Sequence, residues 1–317
     1  MEKIYKLTPA LFANLWGGNK LRGYGKESDD DRIGESWELS FVKGAEAKLC
    51  DGRAVTEVFS KSDFGKNAEK FEFFPTLTKF IDAREKLSVQ VHPSDEYALK
   101  NEGQYGKSEM WYVVEADEGA GLYVGLNREC EKEELAAAIA DGSVEKLLSF
   151  KKVKPGDVFF IPAGTIHAIC GGVLIYEIQQ NSTLTYRLYD YMRRDKDGNL
   201  RELHVKKAMK VLKSDVYNPP KFDTGACDCG KILGKCEYFT TKEYAVSNRK
   251  SVKISVNGDS FKAITVVKGE GVLSFTDNNA GLSSLPLSLG DTYFAPANNE
   301  GFEFTISGNL TAITVEV

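Results

Sequence analysis

Histidine is close to absent from this chain. There are three in 317 residues, at positions 92, 167 and 204, and none beyond the last of these. Chemistry that needs an imidazole is thereby confined to the earlier part of the sequence. Positive charge is not in excess either: 41 lysines and arginines stand against 46 aspartates and glutamates, a formal net charge of −5. That balance excludes a bulk attraction for nucleic acid or for an anionic membrane and leaves only local basic sites. No apolar run approaches the roughly 20 residues that span a bilayer. The opening MEKIYKLTPALFANLWGG has an acid at position 2, a proline at position 9 and no sustained apolar stretch, so it does not read as a signal peptide. The expected location is the cytoplasm. Six cysteines in a chain this long are no disulfide framework. Cys227, Cys229 and Cys236 cluster in CDCGKILGKC, but C-x-C is not the usual C-x2-C metal knuckle, and we read them as reduced thiols in a connecting segment.

What the sequence has in quantity is short strands. KLSVQVH, EMWYVVEA, GLYVGL, DVFFIP, GVLIYEI and TLTYRLY are rich in Val, Ile, Phe, Tyr and Thr and are broken by Gly, Asn and Asp. This texture predicts antiparallel strands in a sandwich or barrel. Two stretches depart from it. Residues 130–150, CEKEELAAAIADGSVEKLLSF, and residues 204–215, HVKKAMKVLKSD, carry helix formers with apolar residues at helical spacing. Beyond them VYNPPKFDTGACDCG is full of Pro, Gly and Asp, as a linker is. Strand texture then returns in FKAITVVKGEGVLSF and FEFTISGNLTAITVEV. The predicted division is a first unit over 1–215 with a helical insertion near 130–150, a linker over 216–235, and a smaller unit over 236–317.

A phrase is written once in each unit. Residues 156–167 read GDVFFIPAGTIH and residues 290–301 read GDTYFAPANNEG. The shared glycine, apolar strand and Pro-Ala corner predict two units built alike, as tandem jelly rolls. Asn298 stands where the first copy has Gly164, and Gly301 where it has His167, so a histidine-based twin site in the second unit is excluded.

In extended backbone, side chains alternate faces. Gln90 and His92 of SVQVHP therefore share a face, while Val89 and Val91 enter the opposite layer. Lys107 and Glu109 of GKSEMWYVV pair in the same way. His167 follows the strand VFFI and a turn made by Pro162 and Gly164. Gln90, His92, Glu109 and His167 form a nitrogen and oxygen donor set for a divalent metal. Zinc accepts two imidazoles, a carboxylate and an amide oxygen with room for a substrate oxygen, and iron and manganese accept the same donors. Histidines that serve only the packing of a barrel fit these positions too, and the residues alone leave both readings open.

The turn Gly156, Pro162, Gly164 and His167 resembles the second cupin motif, with Gly171 where that motif usually has asparagine. The first motif departs further: Gln90 replaces its leading histidine, and Glu109 comes late. With that departure, the ordered phrases QVHP, GKSEMWY, PAGTIHAI and EIQQNSTLTYRLYDY resemble the type I mannose-6-phosphate isomerase family in its shorter bacterial form. FPTLTKFIDAREKLSVQVHPSDEYA, LWGG and GESWELS fit the same family. The resemblance covers most of residues 1 to about 215 and, more weakly, the tail. It implies a mainly β fold of two tandem cupin-type jelly rolls with helical insertions in the first unit and a second unit lacking metal ligands.

The same resemblance implies one zinc ion on Gln90, His92, Glu109 and His167. It implies interconversion of mannose 6-phosphate and fructose 6-phosphate by proton transfer between carbons 1 and 2 through an enediolate. Such chemistry needs a base and positive charge near the oxygens that become anionic. Arg187 of TYRLYDY matches the family's arginine facing the metal; its other reading is an ion pair with Asp190 or another carboxylate. Lys107 matches the active-site lysine, to contact phosphate or transfer a proton, and otherwise reads as a solvated strand-end lysine. Glu177, a carboxylate within an apolar strand, is the candidate base or the partner of Arg187. Trp16, Trp37 and Trp111 are candidate walls of a sugar cleft or, equally, core. The expected partner is a small sugar phosphate, with no nucleic acid and no membrane, for a monomer or homodimer. Two rivals use the same residues differently: an iron-dependent cupin dioxygenase, and a non-catalytic sugar-binding cupin with a structural metal.

Overall fold

The computed structural model describes residues 3–195, 197–220, 222, 230–247, 250–277 and 281–317. Among these the protein is mainly β, and its strands form three sheets. The strands Thr76–Ala83 and Val173–Gln180 lie side by side in the middle of a six-stranded sheet, and every residue of both is buried. A strand covered on both faces reads as a continuous apolar run, which is the texture of VLIYEI.

One face of this sheet packs on a five-stranded sheet. The seam is a cluster in which Ile81, Trp111, Val113 and Ile175 meet Leu122, Val124 and Ile169. The other face carries Phe80, Tyr112, Leu174, Tyr176 and Ile178, and these meet Phe239, Phe261, Phe294 and Ile313 from a nine-stranded sheet. Each such side chain contributes about 1.5–3 kcal/mol on burial, so the middle sheet is held rigidly from both sides.

The helical stretches are shorter than their sequence patterns. Within 130–150 the helix is Lys132–Asp141. Gly142 ends it in a left-handed conformation, φ 80°, with its N–H bonded to the Ile139 carbonyl. Beyond it Leu148–Lys152 turns extended and pairs with Gly121–Leu126. The second helix is Val205–Val211, with His204 before its first turn. A further helix, Asp95–Glu102, lies between Ser94 and a left-handed Gly103. Its cues were present in SDEYALKNEG, a serine with acids behind it and a closing glycine.

The twin phrases begin alike. Gly156 and Gly290 have φ 89° and 86° and lead into the strands Val158–Ile161 and Thr292–Ala295. We propose the division at 216–235 as the boundary of two jelly-roll units. Cys227 and Cys229 lie outside the described residues; Cys236 is a free thiol that burial pushes up. One strand laces across the boundary: Tyr5–Thr8 pairs with Thr292–Ala295, Tyr5 opposite Phe294.

Candidate metal centre

The site is built from two facing rows of residues. On the five-stranded sheet, Gln90 is paired with His167 on one side and with Arg187 on the other. Residues directly opposite in antiparallel strands point to one face, so these three share it. On the six-stranded sheet, Gln179 stands opposite Glu109, and Glu177 opposite both Trp111 and Lys79. Alternation puts Glu109, Trp111, Glu177 and Lys79 on one face.

His92, Glu109 and His167 converge, their ligand atoms all within 4.8 Å of one another and all three residues buried. His92 Nε2 is 3.5 Å from Glu109 Oε2, and His167 Nε2 is 3.3 Å from Glu109 Oε1. The other ring nitrogens are committed: His92 Nδ1 lies 2.8 Å from the Leu184 carbonyl and His167 Nδ1 2.9 Å from that of Thr165. A neutral ring that donates from Nδ1 to a carbonyl keeps its Nε2 as an acceptor. Burial pushes the His92 ring down to about 4, helped by the nearby Lys107 ammonium, and burial lowers His167 as well. Burial thus disfavours the charged form of both rings, and metal ligation requires the neutral one. Burial alone would raise the Glu109 carboxyl, but the Lys107 ammonium beside it holds it well below the usual range.

Gln90 joins this group through its amide, whose Nε2 is 3.2 Å from His167 Nε2. Exchanging the amide's nitrogen and oxygen puts at that place the atom a cation takes. Glu109 Oε1 is buried without a hydrogen-bond partner. The Lys107 ammonium lies 3.3 Å from His92 Nε2, while Glu109 Oε1 stays unpartnered; acceptor atoms gathered out of water in this way suit a cation among them. The four residues thus fit a divalent ion. The turn that delivers His167 is pinned to its neighbour: Gly164, at φ 89°, donates its N–H to the His92 carbonyl at 2.8 Å.

A chain of alternating charges leads away from the triad. Lys107 Nζ is 2.5 Å from Glu109 Oε2 and 3.4 Å from Glu177 Oε1. Glu177 also accepts from Trp111 Nε1 at 2.8 Å and lies 3.5 Å from Lys79 Nζ. Lys79 in turn is 3.2 Å from Glu35, which accepts from Trp37 Nε1 at 2.7 Å. The sequence reading missed Lys79 and Glu35. Their signal was a lysine within the strand-like run TLTKFI and a carboxylate two residues before Trp37, each costly to bury unless paired. Of the tryptophans, Trp111 and Trp37 belong to this site, while Trp16 packs with Ile81 and Trp111 in the core.

Arg187 does not pair with Asp190. The Asp190 carboxylate is taken by Arg201, at 2.5 and 2.7 Å, and by Arg193. Arg187 Nη1 donates to the Glu202 carbonyl at 2.8 Å, and its buried Nε has no partner. Nor does Glu177 serve as its partner, since Lys107, Lys79 and Trp111 surround that carboxylate. His204 stands apart from the triad, its Nδ1 accepting the Arg187 backbone N–H at 3.2 Å.

This arrangement was compared with known proteins. The mannose-6-phosphate isomerase of Streptococcus mutans is 34% identical over 315 residues, 97% of this chain and 96% of its own. The chain belongs to the type I phosphomannose isomerase family. The family model of the type I phosphomannose isomerase catalytic domain matches residues 4–151, the segment that carries three of the four candidate metal ligands. The mannose-6-phosphate isomerase ManA of Bacillus subtilis is 37% identical over 275 residues, 83% of this chain and 85% of that one. A crystal structure of the mannose 6-phosphate isomerase from Bacillus subtilis superposes with TM-score 0.88 at 32% identity, each chain covered in full. The Salmonella typhimurium enzyme, at 17% identity and TM-score 0.74, shows the fold alone. No helix among the described residues is long and apolar enough to cross a membrane.

Proposed function

We propose that this phosphomannose isomerase family member interconverts mannose 6-phosphate and fructose 6-phosphate with a divalent ion, zinc, held by Gln90, His92, Glu109 and His167. One observation carries the reading: a buried ligand triad within 4.8 Å, joined directly to a chain of ionic groups, in a chain of this family. Bound there, the ion supplies positive charge to the sugar oxygens that become anionic during isomerisation. The residues supply the rest. Glu177 takes the carbon-bound proton, and Lys107 and Lys79 on either side of it place donors beside the two oxygens of an enediolate. Arg187, with an unspent donor on the Gln90 row, faces the anionic part of the substrate. We place the chain in the cytoplasm. An oxygenase gives Lys107 and Lys79 no task, and a mere sugar binder needs no such proton path.

The test is a coupled isomerase assay on mannose 6-phosphate, before and after chelation, with metal analysis. Turnover should disappear on chelation and return with zinc. His167→Ala should lose bound metal and turnover together, and full activity in that variant would refute the ligand set. In heavy water, Glu177→Gln should abolish exchange of the sugar C2 proton; normal exchange would remove Glu177 as the base.

A further inference from the structure

A second cavity opens on the molecule, built from residues other than the four metal ligands and the ionic chain. It has a volume of about 590 Å³. Small-molecule sites run to roughly 300–1,000 Å³ and are mostly aromatic and apolar with a few placed polar groups. Its walls are phenylalanines locked by one another. Phe41 stacks on Phe74 at 4.0 Å, and Phe64 meets both edge-on at 5.1 and 4.7 Å. Phe73, 45% exposed, turns its ring against Tyr105 at 5.4 Å. Such a surface offers ring faces and edges to a flat guest at no cost in side-chain ordering.

Two features give the guest a charge. Lys43 and Lys61 line the same cavity, and neither has an ion pair among the described residues of this acidic chain. Asn181, on another wall, has a buried amide oxygen with no hydrogen-bond partner, which calls for a donor. We infer that this cavity is a binding site for a small molecule made of a flat ring that bears a negative group. The ring lies among Phe41, Phe73 and Phe74 and the anion meets Lys43 and Lys61. The inference is independent of the isomerase reading.

The probe is 8-anilinonaphthalene-1-sulfonate, which has this chemistry, with uncharged N-phenyl-1-naphthylamine as its control, both on the full chain. The sulfonate should bind one saturable site that saturating mannose 6-phosphate does not empty. The double variant Lys43→Glu/Lys61→Glu should weaken it by about tenfold or more, leave the neutral probe nearly unchanged, and keep isomerase turnover. Phe73→Ala should weaken both probes. If that variant does not fold, Thr183→Trp, at the exposed rim, should block both. Many weak equivalent sites, displacement by mannose 6-phosphate, or an equal loss of both probes on charge reversal would overturn the proposal.

Discussion

Arg187 shows how a single side chain is defined by what its neighbours already hold. Asp190 is saturated by Arg193 and Arg201, so the nearest acid cannot quench the Arg187 guanidinium. Arg187→Ala should therefore leave metal content intact and lower turnover. A fall in kcat with KM unchanged marks a contact made in the transition state, and a rise in KM alone would make it a uniform substrate contact. Glu35 is defined in the same way. Burial alone would raise its carboxyl from the ordinary 4.5, but the Lys79 ammonium and the Trp37 N–H overcome burial and hold it lower. Lys79 is pushed upward by Glu35 and Glu177 against its own burial. A depressed carboxylate contributes stability above its unfolded value that is lost as pH falls through the folded one. A raised lysine contributes below its unfolded value, 10.5, and loses this at still higher pH. Glu35→Gln should thus cost about 3 kcal/mol near neutrality, as removal of one partner of a buried pair does. Urea titrations should show that gap narrowing as pH falls below the ordinary 4.5 and through the depressed folded value. A gap that does not narrow on acidification would show that the charge is not its source. Gln90, His92, Glu109 and His167 stood out as candidates because strand alternation and a Pro-Gly turn are local, but the residues alone left packing histidines as an equal reading. Lys79 and Glu35 escaped because their meaning lies in cross-strand pairing, which no single strand records.

Elements repeat in this chain while their surroundings do not. The two GD corners were legible as one design, and both glycines do adopt the left-handed conformation. Their settings differ. A Cβ at Gly156 meets nothing nearer than the Tyr112 hydroxyl at 4.0 Å, whereas one at Gly290 falls 2.3 Å from the Tyr24 carbonyl. Gly156→Ala should cost only the left-handed backbone, about 1 kcal/mol. Gly290→Ala should cost several times that, because backbone has to move. Thermal melts of the pair decide it, and equal shifts would contradict the close approach. The helix over 130–150 shows the opposite lesson. Its periodicity continues into KLLSF, but Gly142 caps the helix and Leu148–Lys152 is claimed by a neighbouring strand. Tertiary pairing overrides propensity in such short segments.

At the scale of the whole molecule, residues far apart in the sequence are joined by a buried polar seam. Lys26 Nζ lies 2.9 Å from the Glu38 carboxylate and 2.7 Å from the Gly290 carbonyl. Thr292 adds a hydrogen bond to Glu38 at 3.0 Å, and Thr265 links Thr292 to the Tyr176 hydroxyl. The seam thus reaches the strand that carries Glu177. Lys26→Met strands Glu38 in the interior and should cost about 3–5 kcal/mol, while Lys26→Met/Glu38→Leu should cost far less. Denaturation of both variants checks this, and a double variant as unstable as the single one would refute the pairing. No sequence pattern announced the seam, since Lys26 and its partner Gly290 lie 264 residues apart.

The strand Tyr5–Thr8 has a consequence in time. It is synthesised long before its partner Thr292–Ala295, which lies far later in the sequence. Until that partner is made, one edge of this strand is an unpaired template for other chains. Closing so long a loop is slow compared with local pairing, so this pairing waits on synthesis of the distant strand.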